Sequence, residues 1–221
     1  MPDFKRRFSG PEMMDDPDAD ESMLEAALVE LPRINTFLGG YRATLATLEA
    51  YRRCRRPSTL RILDVGTGIA DYPLRMVRWG LAKGVDVRVT ASDVNPRTID
   101  FARKAVARQP QHVRARIDFV VADALELGLP PKSFDVCTSA LFLHHLSREE
   151  CVSSIRQMLK TASAGIIVND IHRHRLAYHG IFLVTRIFPF SEMVRHDAPV
   201  SVLRAFRRAE LEDTAREAGL D

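Results

Sequence analysis

The chain is poor in several features that would each point to a function. It has only three cysteines in 221 residues, Cys54, Cys137 and Cys151, and none shows C-x-x-C or Cys/His spacing. That excludes a disulfide framework and a cysteine-based zinc site, and it fits a reducing cytosol. No sign of charge dominates, since 32 Lys and Arg face 29 Asp and Glu for a net +3, so composition gives no strong field toward nucleic acid. The N-terminus lacks an apolar signal core, and no stretch reaches the roughly 18 apolar residues of a membrane span. The expectation is a cytoplasmic chain without a transmembrane helix. No repeat or low-complexity tract is present, and a hydrophobic content of 46% suffices for one sizeable core.

What is there is a rhythm. Residues 1–20 are rich in Pro and Asp, and the next 35 show apolar residues at helical spacing, broken at Gly39 and Gly40. From Leu60 onward, short apolar, β-branched runs alternate with helical stretches. "LRILDV", "DVRVTASD", "IDFVVAD", "SFDVCTSAL" and "AGIIVND" predict five strands. Asn95 before Pro96 reads as a helix cap, and Ser147 with Glu150 has capping-box spacing. The pattern predicts an α/β, Rossmann-like doubly wound and mostly parallel sheet. Residues 1–58 are expected as an N-terminal helical cap and 59–221 as the core. Residues 172–200 form a long insertion after the fifth strand, apolar in "LAYHGIFLVTRIFPF", which reads as a lid.

Four of the five predicted strands end near an aspartate: Asp64, Asp93, Asp123 and Asp170. In a doubly wound sheet ligands sit beyond the carboxyl ends of the strands, so this rim is acidic. After the first strand the chain reads Gly66, Thr67, Gly68, Ile69, Ala70, Asp71. A dinucleotide fingerprint needs a third glycine where Asp71 stands, and two carboxylates would repel the pyrophosphate it binds. No Gly-Lys-Ser/Thr follows, which excludes a Walker loop. The turn suits a ligand that is cationic or zwitterionic, and S-adenosylmethionine is one, with an ammonium, a sulfonium and no phosphate.

In the order of these motifs the chain resembles the class I S-adenosylmethionine-dependent methyltransferases from Leu60 to Asp170. The resemblance implies S-adenosylmethionine as cofactor, with Asp64, Gly66 and Gly68 toward its methionine portion. It likewise implies Asp93 on the ribose hydroxyls, and Asp123 with the backbone of Ala124 at the adenine. Ala70 replaces the usual last glycine of the turn. Tyr41 and Arg42, after the Gly-Gly break, are candidates to close over the cofactor's carboxylate.

For the acceptor, "SALFLHHL" carries no Asn/Asp-Pro-Pro-aromatic motif of base-methylating enzymes, and the chain has no Pro-Cys pair for cytosine-C5 chemistry. His144 and His145 stand where catechol-type enzymes place a metal-binding aspartate, so no metal site is expected. "YRRCRR" and "RKAVARQPQHVRAR" read as polar helix faces without interleaved aromatics, which argues against nucleic acid. The fourth-strand segment resembles that of quinone and natural-product methyltransferases. It implies O-methylation of a small apolar phenol, enol or quinol, with the insertion covering the acceptor. The alternatives are a noncatalytic cofactor-binding or scaffold protein on the same fold, or an RNA methyltransferase. Base candidates are His144, His145, His172 and His196, with His145 first and His196 second, because a neutral imidazole takes a phenolic proton near pH 7. Of the adjacent pair, one ring is expected to point into the site and the other away. His196 is not expected to form an orienting pair with Asp197.

"AELEDTAREAGLD" reads as a helix over 209–218 stopped by Gly219. The family resemblance implies two further strands beyond it. Five strands alone would leave an open edge, so the expectation is a longer parent chain, the insertion folding over that edge, or a second copy pairing there as a homodimer.

Overall fold

The computed structural model describes residues 2–16, 18–37 and 39–220, with Phe37 described by its backbone alone. In chain order the elements are a 3-10 turn at Met13–Asp15, α1 (Glu21–Phe37), α2 (Gly40–Arg55), β1 (Thr59–Val65), α3 (Asp71–Lys83), β2 (Asp86–Asp93), α4 (Pro96–Ala107), α5 (Gln111–Arg114) and β3 (Ile117–Val121). There follow β4 (Phe134–Ala140), a second 3-10 turn at Leu143–His145, α6 (Arg148–Thr161), β5 (Ala162–Asn169), α7 (Arg175–Ile187), α8 (Glu192–Arg204) and α9 (Arg208–Glu217).

All five strands run parallel in the order β3-β2-β1-β4-β5. β1 is central, with Ile62 opposite Val89 on one side and Val136 on the other. Leu60, Ile62, Leu63 and Val65 are all buried, as expected of a strand covered on both faces and therefore apolar without alternation. The five predicted strands are all present. The third stops at Val121 rather than running to Asp123, because the Asp123 carboxylate accepts the amide of Leu125 and turns the chain. Asn95 caps α4 by accepting the Arg97 amide, and Ser147 and Glu150 bond reciprocally at the start of α6. α9 ends one residue before the expected Ala218, and Gly219 follows at φ +102°.

The chain divides into two compact units. One comprises Asn35–Ala140 and Ser153–Asn169, holding the whole sheet, with α3 against β2, α4 against β3 and α2 against β5. The other comprises Met1–Ile34, Leu141–Val152 and Asp170–Asp221. Its core joins Ala27 and Ile34 of α1 to Ile181 of α7 and Met193, Val194 and Val202 of α8. The sequence grouping at 58/59 divides the chain differently. The reason is that α2 packs on β5, whereas residues 1–34 pack with segments that follow β4 and β5. The stretch read as a lid folds into α7 and the first part of α8. Ile181 is buried there, while Leu176 and Ile187 are 77% and 65% exposed. No helix among the described residues is long and apolar enough to cross a membrane.

Candidate active site

In the sheet unit, the turn after β1 is left-handed at three alternate positions, Gly66 (φ +69°), Gly68 (φ +54°) and Ala70 (φ +62°). Glycine adopts this conformation freely, and an alanine does so at a cost of about 1–2 kcal/mol. A Cβ placed on Gly68 would meet no atom within 4 Å, so the turn presents bare backbone beside open space. Thr67 ties it to the neighbouring strand by donating its amide to the Ser92 carbonyl, and Ser92 returns a hydroxyl bond to the Asp64 carbonyl.

Asp64 is 2% exposed and accepts the hydroxyls of Thr67 and Thr138 at 2.7 and 2.6 Å. Each carboxylate oxygen is thus already engaged, and the residue braces the turn. Burial raises its pKa to about 7. Asp93 ends β2, and its two oxygens accept the amides of Gly68 and Asn95 at 3.2 and 3.0 Å. The acid of the second strand and the glycine turn of the first are therefore one construction. Asp123 is exposed and Ala124 buried.

Tyr41 donates its hydroxyl to Asp71 at 2.6 Å and is 6% exposed. That commits the phenol to an internal carboxylate rather than leaving it to reach out, and Arg42 is exposed. Asp71, half-buried and shifted upward by desolvation, was legible only as a missing glycine. Asn169, at the end of β5, donates to the Gly40 carbonyl and the Thr44 hydroxyl. It marks a junction of α2 and β5 that no local pattern announces. Ser139, near the end of β4, is buried with a hydroxyl that has no partner, an orphan of the kind that a bound ligand satisfies.

The second unit gathers the histidines. Leu141, one residue beyond β4, is left-handed at φ +54°, a strain that a non-glycine residue holds only where its surroundings enforce it. The turn Leu143–His145 follows. His144 is 3% exposed, and its Nδ1 lies 2.6 Å from Asp170 Oδ1. His145 Nδ1 lies 2.7 Å from Asp15 Oδ1. The two rings lie side by side, tilted by 35°, with centroids 4.3 Å apart. The expectation that one would point in and the other away is therefore corrected: a single 3-10 turn keeps the rings side by side, and each has its own carboxylate. Burial works to raise both carboxyls, yet the imidazoles outweigh it. His144 holds Asp170 below the ordinary value, and His145 with Arg204 holds Asp15 below it.

Glu12 completes this group. It is 2% exposed, Ser201 donates to its Oε2 at 2.9 Å, and its Oε1 has no hydrogen-bond partner. That oxygen stands 3.9 Å from His144 Nε2 and 3.8 Å from Arg204 Nε. Desolvation raises the carboxyl to about 7. Arg204 bonds Asp15 and the carbonyls of His144 and His145. His196 does pair with Asp197, at 2.7 Å, because α8 turns the exposed ring back over its neighbour. His172 stacks on His174 and its backbone bridges to Phe206, outside this group. Glu12, Asp15 and Arg204 carry no sequence signal that would have selected them.

The parallel sheet, its switch point beside β1 and the glycine turn tied to an acid define a nucleoside-binding α/β protein of the doubly wound class. Residues 63–167 match the family described as a methyltransferase domain. The chain is 32% identical over 157 residues to a demethylmenaquinone methyltransferase of Roseiflexus sp. (strain RS-1), covering 67% of this chain and 58% of that protein. It is 29% identical over 154 residues to ajmaline N-methyltransferase of Rauvolfia serpentina, covering 64% and 49%. The chain thus spans about half the length of these curated relatives. The crystal structure of the plantazolicin methyltransferase BpumL superposes with a TM-score of 0.63 at 16% identity, over 91% of this chain and 69% of that one; at that identity the likeness concerns the fold. Residues 63–167 thus form a methyltransferase domain on the class I, Rossmann-like fold, and its cofactor is the S-adenosylmethionine that the sequence analysis expected.

The sheet unit fits that cofactor. An open cradle at Gly68, carboxylates at the strand ends and an orphaned hydroxyl at Ser139 offer acceptors to hydroxyl, amino and ammonium groups, with no phosphate to repel.

Proposed function

We propose that the protein transfers a methyl group from S-adenosylmethionine to the hydroxyl oxygen of a small apolar phenol, enol or quinol. The observation that supports the reading is the bond between Asp93 and the Gly68 amide, which holds the acid assigned to the ribose against the bare turn. When bound, the cofactor supplies an electrophilic methyl on a sulfonium. The chain's task is then mainly alignment, which can supply about 7–11 kcal/mol in a well-oriented displacement. Asp93 would hold the ribose and Asp123 the adenine amino group, with Asp64 stiffening the turn and favouring positive charge nearby. A hydroxyl acceptor must also shed its proton. His144 and His145 are the groups assigned to assist, since each ring is oriented by a carboxylate at its Nδ1.

Calorimetry with S-adenosylmethionine and S-adenosylhomocysteine, followed by mass analysis of a panel of phenols, quinols and amines, tests this. Failure to bind either nucleoside would overturn it. A second reading, methylation of an amine nitrogen, is favoured by one observation. A cavity of about 590 Å³ in the second unit is lined by Glu12, Asp15, Asp16 and Asp20 together with Met13 and Met23, which suits a cationic apolar ligand. The panel separates the two.

Two expected outcomes attach to the cofactor site. Asp93→Ala should weaken S-adenosylmethionine binding by about 1–3 kcal/mol, because it removes the acceptor for two hydroxyls and frees the Gly68 amide. Unchanged affinity in calorimetry would remove Asp93 from the site. The second concerns pH. Asp64 carries a folded pKa of about 7, above its unfolded value, so its contribution to stability is present at low pH and is lost as pH rises toward 7. A cationic ligand favours the ionised carboxylate, so binding releases a proton below that point. Affinity should then climb with pH, by at most about tenfold per unit, and level off above 7. Calorimetry in buffers of different ionisation enthalpy reads the proton directly, and Asp64→Asn should abolish its release.

A further inference from the structure

Glu12, His144 and His145 offer three metal-ligating atoms that all lie within 4.8 Å of one another. We propose that these three residues form a binding site for one divalent transition ion of the zinc and iron class.

The geometry is that of a ligand set: each ring holds its Nδ1 against a carboxylate, His144 on Asp170 at 2.6 Å and His145 on Asp15 at 2.7 Å, and thereby leaves Nε2 as the nitrogen turned to the group. A carboxylate behind the far nitrogen is the arrangement that orients imidazole ligands and raises their basicity. Here both rings have it. The third ligand is equally prepared, because Ser201 anchors Glu12 through Oε2 and leaves Oε1 buried, unpartnered and 3.9 Å from His144 Nε2. Ligands about 2.0–2.1 Å from a tetrahedral ion stand roughly 3.3 Å apart, so this pair needs to close by about half an ångström.

Charge supports a cation. Glu12, Asp15 and Asp170 bring three carboxylates. Against them stand Arg204 and Arg7, the latter donating to the carbonyls of His144 and Leu146, which leaves an excess of negative charge. Two imidazole nitrogens and one carboxylate select zinc, iron, cobalt or nickel over magnesium and calcium, which take oxygen. Glu12 and Asp15 also line the 590 Å³ cavity, which gives an ion a route in and leaves coordination positions open to a ligand. A bound ion would be held by Glu12, His144 and His145 and would supply Lewis acidity there. The site does not depend on the methyl-transfer reading, because its test contains no cofactor.

Chelator-dialysed protein is titrated with Zn²⁺ and, separately, with Co²⁺. One equivalent should bind, with visible absorption from Co²⁺ and no competition from Mg²⁺. Glu12→Gln and His145→Ala should each weaken Zn²⁺ binding by a hundredfold or more. Asp15→Asn, which removes no ligand but alters the carboxylate behind His145 and the partner of Arg204, should weaken it by about 10- to 100-fold. Should any variant fail to fold, the wild-type Co²⁺ complex still decides, because two exchangeable hyperfine-shifted imidazole N–H resonances are expected from two rings bound through Nε2. Binding below one equivalent, equal affinity in the variants, or no such resonances would overturn the site, while cofactor calorimetry would be untouched.

Discussion

His144→Ala is expected to lower turnover of a hydroxyl acceptor by a hundredfold or more while S-adenosylmethionine affinity stays level. The ring is buried, its Nδ1 is fixed on Asp170 at 2.6 Å, and a positioned group that handles the acceptor's proton contributes about 10²–10⁴. Asp170→Asn gives the same argument a second arm. An amide in place of the carboxylate donates to Nδ1 and moves the hydrogen to Nε2, so the face that must accept a proton or an ion presents a donor instead. Turnover should fall as far as in His144→Ala with the ring still present. Steady-state kinetics with the acceptor found in the panel, beside cofactor calorimetry and a melting curve for each variant, checks both. A parallel loss of binding and turnover would make His144 structural. Chelator treatment distinguishes the two modes of assistance, since a free imidazole base is indifferent to it and a bound ion is not.

Arg173→Met should be the most damaging single change to stability. The Arg173 side chain is fully buried, and its guanidinium bonds the carbonyls of Phe4 and Ala205 and the carboxylate of Glu210. Phe4 keeps a second donor in Arg207. The Ala205 carbonyl loses its donor, and Glu210 loses its charged partner at Oε1 while Oε2 keeps the Arg207 amide. Breaking a buried charge pair from one side costs about 3–5 kcal/mol. Glu210 is 35% exposed and can recover some solvation, which places the value at the low end, about 3 kcal/mol. For a chain of this size that lowers Tm by roughly 6–12 °C. Arg173→Lys should rescue little, because an ammonium cannot reproduce the planar fork that spans three acceptors. Thermal denaturation followed by circular dichroism measures both, and a fall of under 2–3 °C, well below the roughly 6 °C lower bound, would show that the pairing contributes little net stability.

The sequence by itself determined the strands. The five apolar runs, the caps at Asn95 and Ser147 and the stop at Gly219 are local signals, with partners a few residues away, and they indicated five strands, mostly parallel, whereas the order β3-β2-β1-β4-β5 is a matter of long-range pairing. The acids at the strand ends and the glycine turn were legible for the same reason, since the carboxyl ends of parallel strands are where a ligand must sit. Only the tertiary structure decided the group around His144. His145 and Asp15 are separated by 130 residues, and neither Glu12 nor Arg204 stands in a pattern that marks it, because a long-range hydrogen bond leaves no periodicity. The same holds within the sheet unit for Tyr41, whose hydroxyl is spent on Asp71 thirty positions away. Local propensity thus fixed where a ligand can bind. Packing of distant segments fixed which side chains lose their water, and only that packing brings a buried glutamate against two adjacent histidines.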